Sequence, residues 1–364
     1  MRALADRCGD DGDYVHWGVT TQDVIDTGAV LQVRAALTPI RRDLERAVVS
    51  AARLAARHAE TPMAGRTHGQ HAVPITFGLK AASWADELVR CAGRLRRAEE
   101  AVLTAQLGGA AGTLAALGTD ASAVRGAFCR ILDLAEPEVP WHAARDRIRD
   151  LGHALAEIAG AGERIASEVI RLQATELAEL SEPLADGHVG SSTMPQKRNP
   201  MTCEYIVATA RLLRGTTGVL AGAPAHLHER DMGAWAVEWI ALPQALILTG
   251  GLLAKLAAVL EGLVVNPERM RANLDLSRGQ IMAEAVMMAL APELGHERAH
   301  EVVTRAARRA TAERRDFASV LLEDPDAAAL LAPERVERTL DPSGYLGLAA
   351  EAAAAVSSRI TDGR

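Results

Sequence analysis

The chain has 364 residues with 40 basic and 47 acidic side chains, a net charge of −7 with both signs interspersed. It has no basic face of the kind that nucleic-acid binding requires, so no nucleic-acid partner is expected. Hydrophobic residues make up 49% but aromatics only 3%, so the core must be aliphatic, and the abundance of Ala and Leu favours helices over sheets. Cys8, Cys91, Cys129 and Cys203 stand far apart without CxxC spacing. They read as reduced thiols of a cytoplasmic protein rather than a disulfide framework or a zinc site, and no secretory leader is read at the start.

In chain order, Thr20, Thr21 and Asp23 read locally as a helix cap. Residues 61–76 hold two prolines and two glycines and read as a loop carrying His68 and His71. A histidine in such a loop is most often a structural hydrogen bonder, and His71 is left in that role. Residues 77–106 lack proline and predict one long helix, followed by a Gly/Ala-rich loop over 107–118. Leu151, Leu155, Ile158, Ile165, Val169 and Leu172 recur at spacings of four and three, with Gly162 in the one open slot. That pattern predicts a long bundle helix with a single apolar stripe, on which the glycine lets a neighbouring helix approach closely.

Residues 186–199 mix Gly, Ser and Pro and feed Lys197, Arg198 and Asn199 into a helix predicted from Pro200 to about residue 220. Unpaired N–H groups and the positive dipole end at such a helix start, with these side chains as extra donors, predict a carboxylate or phosphate site. Leu242, Leu246, Leu253, Leu256, Leu260 and Leu263 form another apolar series. Residues 240–265 are long enough to cross a bilayer, but they contain Pro243, Gln244, Lys255 and Glu261 and lack aromatic belts. The reading is a buried bundle helix and no membrane partner. From residue 266 the helices become shorter and more charged, and no repeat is visible.

Gly190-Ser191-Ser192-Thr193-Met194-Pro195-Gln196-Lys197-Arg198-Asn199-Pro200 carries the pattern GSSxMPxKxN, the most specific mark of the fumarase/aspartase superfamily. The chain resembles that family from about residue 14 to 350. By this resemblance Ser192 is the general base, and Lys197 and Asn199 hold a substrate carboxylate. Gly65-Arg66-Thr67-His68-Gly69-Gln70, leading to Pro74-Ile75-Thr76-Phe77-Gly78, resembles the family's second signature. It implies His68 as general acid or proton shuttle and Thr67 as a carboxylate donor. His16-Trp17-Gly18-Val19-Thr20-Thr21-Gln22-Asp23 is similar to the remaining region. That match implies that Thr20 and Thr21 bind a carboxylate, with His16 as a further contact.

His228-Glu229-Arg230-Asp231 is followed by Trp235 and Trp239, where the nucleotide lyases of the family carry a phosphate clamp. An indole cannot replace a guanidinium there, and the pattern instead resembles the carboxymuconate cycloisomerases. Substrate choice is therefore expected to rest on these two tryptophans. Arg230 is expected either to bind a further carboxylate or, equally, to form a buried ion pair with Glu229 or Asp231. The departures are Gln196, Leu227 and Thr21.

The resemblance implies an all-α, long-helix bundle with a smaller helical C-terminal domain. It divides the chain into a remnant of an N-terminal domain over 1–38, most of that domain being absent, a central bundle over 39–265 and a C-terminal domain over 266–364. It also implies a homotetramer with sites shared between subunits, in which Leu246→Glu would disturb assembly before helicity. The resemblance implies a small polycarboxylate substrate and no metal or organic cofactor. The expected reaction is cycloisomerisation of a carboxymuconate. The alternatives are a β-eliminating lyase, such as nitrosuccinate or adenylosuccinate lyase, and a truncated non-catalytic homologue.

Overall fold

The computed structural model describes residues 1–184, 194, 196–223 and 226–363. It runs through α1 (Arg2–Ala5), α2 (Thr21–Arg57), strands β1 (Pro62–Thr67) and β2 (Gln70–Thr76), α3 (Phe77–Val102), α4 (Ala121–Leu132) and α5 (Asp146–Gln173). Strand β3 (Leu180–Ser181), α6 (Met201–Gly222), α7 (Met232–Glu261) and strand β4 (Val264–Val265) follow. Shorter helices complete it: α8 (Pro267–Leu274), α9 (Ala283–Leu294), α10 (His296–Glu313), α11 (Phe317–Glu323), α12 (Pro325–Leu330), α13 (Pro333–Thr339) and α14 (Ala349–Asp362). The fold is all-α apart from these short strands. No disulfide joins the cysteines, of which Cys91, Cys129 and Cys203 are buried and Cys8 is exposed.

Two compact units share the chain. The first comprises Met1–Arg46, Glu87–Ala166 and Thr202–Ala258 and is built from long helices. Val30, Val33, Leu37, Ile40 and Leu44 of α2 form its buried stripe, and Leu151, Leu155, Ile158 and Ile165 of α5 form another. The Gly162 slot is a real close approach: a Cβ there would stand 2.8 Å from Leu252 Cδ2 of α7. Helix α3 stops at Val102, short of the expected 106, because the following backbone is taken by a different partner. Ala105 N–H donates to Ala135 O (2.9 Å) and Ala135 N–H to Leu103 O (3.0 Å), a one-residue parallel bridge.

Helix α7 is apolar on both faces, but only one is covered in the unit. Leu242, Ala245, Leu246, Leu252, Leu253 and Leu256 are buried, whereas Ile240 and Ile247 are 72% and 74% exposed. By length and composition alone it passes the test for crossing a membrane, yet half of its most apolar window lies inside the fold. Leu246 proves to be a core residue of its own unit, so a charge there attacks the fold first, contrary to the expectation that assembly would fail before helicity. Tyr205, Leu212 and Val219 on α6 are exposed in the same way.

The second unit comprises Ala47–Asp86, Ser167–Met201 and Val259–Arg364. Residues 61–76, read from sequence as a loop, fold instead as an antiparallel hairpin with Thr67 paired to Gln70. The breakers are absorbed locally: Pro62 opens β1, and a register shift at Gly65 takes up one residue. His68 (φ 52°) and Gly69 (φ 75°) form the two-residue turn, in which both positions need positive φ. Strands β3 and β4 pair antiparallel. Helices α9 to α13 enclose their own apolar cluster around Val286, Leu290, Val302, Phe317 and Leu321.

The first turn of α3 is fixed against the end of α2, with Phe77 N–H donating to Thr61 O (2.9 Å) and Gly78 N–H to His58 O (2.8 Å). A Cβ on Gly78 would lie 2.5–2.7 Å from Ala59 Cα, His58 O and Ala55 O, all backbone atoms that cannot swing aside. Gly78→Ala is therefore expected to destabilise the protein by roughly 1–3 kcal/mol or more, as overpacking does. Urea unfolding measures this, and an unchanged midpoint would show that the two helices can separate freely.

Candidate active site

In the first unit the site begins at the start of α2. Thr20 N–H donates to Asp23 Oδ2 (3.0 Å), the return half of a capping box. The cap thus runs through backbone and carboxylate, and neither the Thr20 nor the Thr21 hydroxyl has a hydrogen-bond partner among the described residues. Asp23 is buried and also accepts from Gly108 N–H and Gly109 N–H (both 2.9 Å) and shares a 2.7 Å hydrogen bond with His142 Nε2. Burial pushes the Asp23 carboxyl up, but the hydrogen bonds from His142 and the three backbone N–H groups outweigh it and hold it below its ordinary value. Gly108 has to be glycine, since a Cβ there would come within 2.8 Å of His142 and Pro140.

Gln22 links this cap to two further groups. Its Nε2 donates to His142 O (2.9 Å) and to Asp26 Oδ2 (3.2 Å), and its Oε1 accepts from Arg230 Nε (2.9 Å). Arg230 Nη2 donates to Ala110 O (2.9 Å). Arg230 does not pair with Glu229 or Asp231. Asp231 is occupied in capping α7, accepting from Gly233 N–H (2.9 Å) and Ala234 N–H (3.3 Å). Among the described residues every partner of Arg230 is a neutral oxygen, so its charge is positioned but not compensated.

Beneath lies a buried triad. Arg145 Nη1 and Nη2 donate to Asp26 (2.7 and 2.9 Å), and Nε donates to Glu238 Oε1 (3.0 Å), with a further short contact from Nη2 to Glu238 Oε2. Burial works against the charge of Arg145, but the bonds from Glu238 and Asp26 prevail and raise its pKa above the ordinary value. Its guanidinium also stacks 4.7 Å from the Trp141 ring. Trp235 is buried and donates its indole N–H to Asp26 Oδ1 (2.9 Å). Trp239 meets it edge-on at 4.9 Å and is 43% exposed. Trp235 thus has a structural partner, and only Trp239 of the two presents open surface. His16 is exposed with φ 69° and lines a neighbouring apolar groove with Tyr14 and Trp17.

In the second unit, Thr67 and His68 are exposed at the hairpin tip. The hairpin is tied close to this tip by Arg66, whose Nη1 and Nη2 donate to the buried Glu179 carboxylate (2.9 and 2.6 Å). Lys197 is exposed and Asn199 half-buried on the segment before α6, which starts at Met201. Gln173 braces that segment, donating to Arg198 O (3.0 Å) while accepting from Glu182 N–H (2.8 Å). Among the described residues no hydrogen bond joins Lys197 or Asn199 to the hairpin. Ser192, Gly190, Ser191, Thr193 and Pro195 lie outside the described residues.

Sequence reasoning missed Gln22, His142, Arg145, Gln173 and Glu179 as organisers of these segments. The available signal was a lone polar or charged residue within an apolar run, as in Leu177-Ala178-Glu179-Leu180. Asp23 yields a direct test. Its carboxyl is held below the ordinary value of 3.8, so its stabilisation is complete above that pH and lost as pH falls through the depressed value. Asp23→Asn is expected to lose about 1.5–3 kcal/mol at neutral pH, the worth of hydrogen bonds to a charged group. That gap should close in acid, below pH 3.8. A gap constant from neutral to acid unfolding titrations would contradict the assignment.

A family model described as Lyase matches residues 3–215, and one described as Adenylosuccinate lyase C-terminus matches residues 279–356. A 3-carboxy-cis,cis-muconate cycloisomerase from Bradyrhizobium diazoefficiens is 44% identical over 334 residues, 92% of this chain and 74% of that protein. An N-acetyl-S-(2-succino)cysteine lyase from Dickeya dadantii is 38% identical over 96% of this chain and 77% of its own length. The crystal structure of 3-carboxy-cis,cis-muconate lactonizing enzyme from Pseudomonas putida superimposes with TM-score 0.91 at 39% identity, covering 99% of this chain and 81% of that one. With the fold and sequence agreeing over nearly its whole length, the chain belongs to the fumarase/aspartase superfamily, among its cycloisomerases and lyases.

Proposed function

We propose that the chain is a 3-carboxy-cis,cis-muconate cycloisomerase that moves a proton at a carbon next to a carboxylate. The observation that carries this reading is the Arg230 guanidinium, bonded among the described residues only to neutral oxygens, Gln22 Oε1 among them, beside a helix start whose Thr20 and Thr21 hydroxyls have no partner among those residues. Such an arrangement suits a substrate carboxylate. A phosphate clamp does not fit, because Trp235 is turned inward onto Asp26.

In the eliminating direction Ser192 removes the proton, and the electron pair is held in the adjoining carboxylate, which Lys197 and Asn199 stabilise. The carbon–oxygen bond of the lactone at the neighbouring carbon then breaks, releasing a carboxylate. In the lactonising direction the same steps reverse. His68 relays the proton, and Thr67, Thr20, Thr21, His16 and Arg230 hold the remaining carboxylates. The sites are shared between subunits of a homotetramer, for which the exposed Ile240 and Ile247 of α7 are the positions a neighbour would cover.

A second reading, β-elimination from a succinyl conjugate, is favoured by the similarity to the Dickeya dadantii lyase. Absorbance assays of 3-carboxy-cis,cis-muconate, run beside N-acetyl-S-(2-succino)cysteine and nitrosuccinate, separate the two. The expected result is turnover of the muconate, lost about 10²–10⁴-fold in Ser192→Ala, the usual scale for removing a general base. Arg230→Met should raise KM by about ten- to a hundredfold, the scale of a lost charged hydrogen bond. Turnover of the succinyl conjugate alone would install the second reading, and no turnover of any would contradict both.

A further inference from the structure

Among the described residues Glu179 is the most completely buried acid of the second unit. Three segments converge on it. Arg66 of β1 donates both guanidinium nitrogens to its carboxylate (2.9 and 2.6 Å). Asn273 of α8 donates to Glu179 Oε1 (2.8 Å) and, with the same amide, to Leu177 O (2.9 Å). The backbone is held too, since Asn266 N–H donates to Glu179 O (3.0 Å) and Glu179 N–H to Leu172 O (2.8 Å). Arg269 completes the clamp through Leu177 O (3.0 Å) and Glu176 O (2.9 Å).

The positions of the joined segments matter more than the bonds themselves. Arg66 stands immediately beyond the register shift at Gly65 and two residues before His68, so its side chain fixes the base of the turn that projects His68. Glu179 immediately precedes β3, and the chain that leaves β3 goes on to Ser192. A bidentate guanidinium–carboxylate pair fixes both distance and plane, which a single ammonium or a purely apolar contact would not do.

We propose that Glu179, through Arg66 and Asn273, is a positioning residue for proton transfer: one buried carboxylate sets the orientation of the His68 turn. This rests on the proposed roles of His68 and Ser192. Glu179 touches no substrate, and its effect is on geometry.

The test uses the full chain with three variants assayed on 3-carboxy-cis,cis-muconate. In the Arg66→Met/Glu179→Leu double variant, both charges are removed together, so no unpaired buried charge remains. It is expected to keep its circular dichroism spectrum yet lose about ten- to a hundredfold in kcat, the scale of a misplaced catalytic group. Its KM should stay within about threefold, and the limb of its kcat–pH profile that reports the proton relay should shift. Arg66→Lys, which keeps the charge but not the fork, should fall between it and the wild type. A kcat within about twofold of wild type in both, with only the melting temperature lowered, would overturn the proposal and leave a structural ion pair. Should the double variant not fold, Arg66→Lys decides: a several-fold fall in kcat supports the proposal and an unchanged kcat overturns it. Ser192→Ala is measured alongside, and if it retains activity, the functional reading itself fails, which is distinguishable from a failure confined to Glu179.

Discussion

A carboxylate withdrawn from water is stable only if donors surround it, and this chain withdraws Asp23, Asp26 and Glu179 almost completely. No single segment can supply enough donors, so each carboxylate collects them from distant parts of the sequence. Asp23 draws on the Gly108–Gly109 loop and His142, Asp26 on Arg145, Gln22 and Trp235, and Glu179 on Arg66 and Asn273. Aliphatic stripes give the helices a core, but they are tolerant of sliding. The buried acids remove that tolerance at the places where signature segments sit.

The same constraint explains why cations important for chemistry stay available. Arg145 is held by two carboxylates, which compensate its charge. Arg230, by contrast, is oriented by an amide oxygen and backbone carbonyls, which fix a guanidinium without neutralising it. For the proposed reaction, whose transition state would gather negative charge beside a carboxylate, preorganised and uncompensated positive groups contribute most. The proposed role of Arg230 follows from that difference in partners.

Much of the fold was legible in the sequence. The four-and-three spacing from Leu151 to Leu172 gave the buried face of α5, and the glycine in its open slot marked the approach of α7. The His68 hairpin was not legible, because Pro62, Gly65, Gly69 and Pro74 are breakers in any local reading. Only a strand opening on proline, a shift in register and a left-handed His-Gly turn reconcile them. The signature motifs pointed to residues with exposed functional groups, such as His68 and Lys197. Their organisers were hidden, because Gln22 or Glu179 is informative only once its partners, far away in sequence, are known. The partner of Trp235 was equally hidden, because its indole N–H donates to Asp26, 209 positions away in sequence.

The central claim is that Ser192 and His68 act in one reaction but reach a common site from different subunits. Mixing Ser192→Ala protein with His68→Asn protein under conditions that exchange subunits tests it directly. Turnover of 3-carboxy-cis,cis-muconate by the mixture, when neither parent is active, is the predicted result, since some sites then collect an intact serine and an intact histidine. Hybrid oligomers that form and yet remain as inactive as either parent would contradict the account.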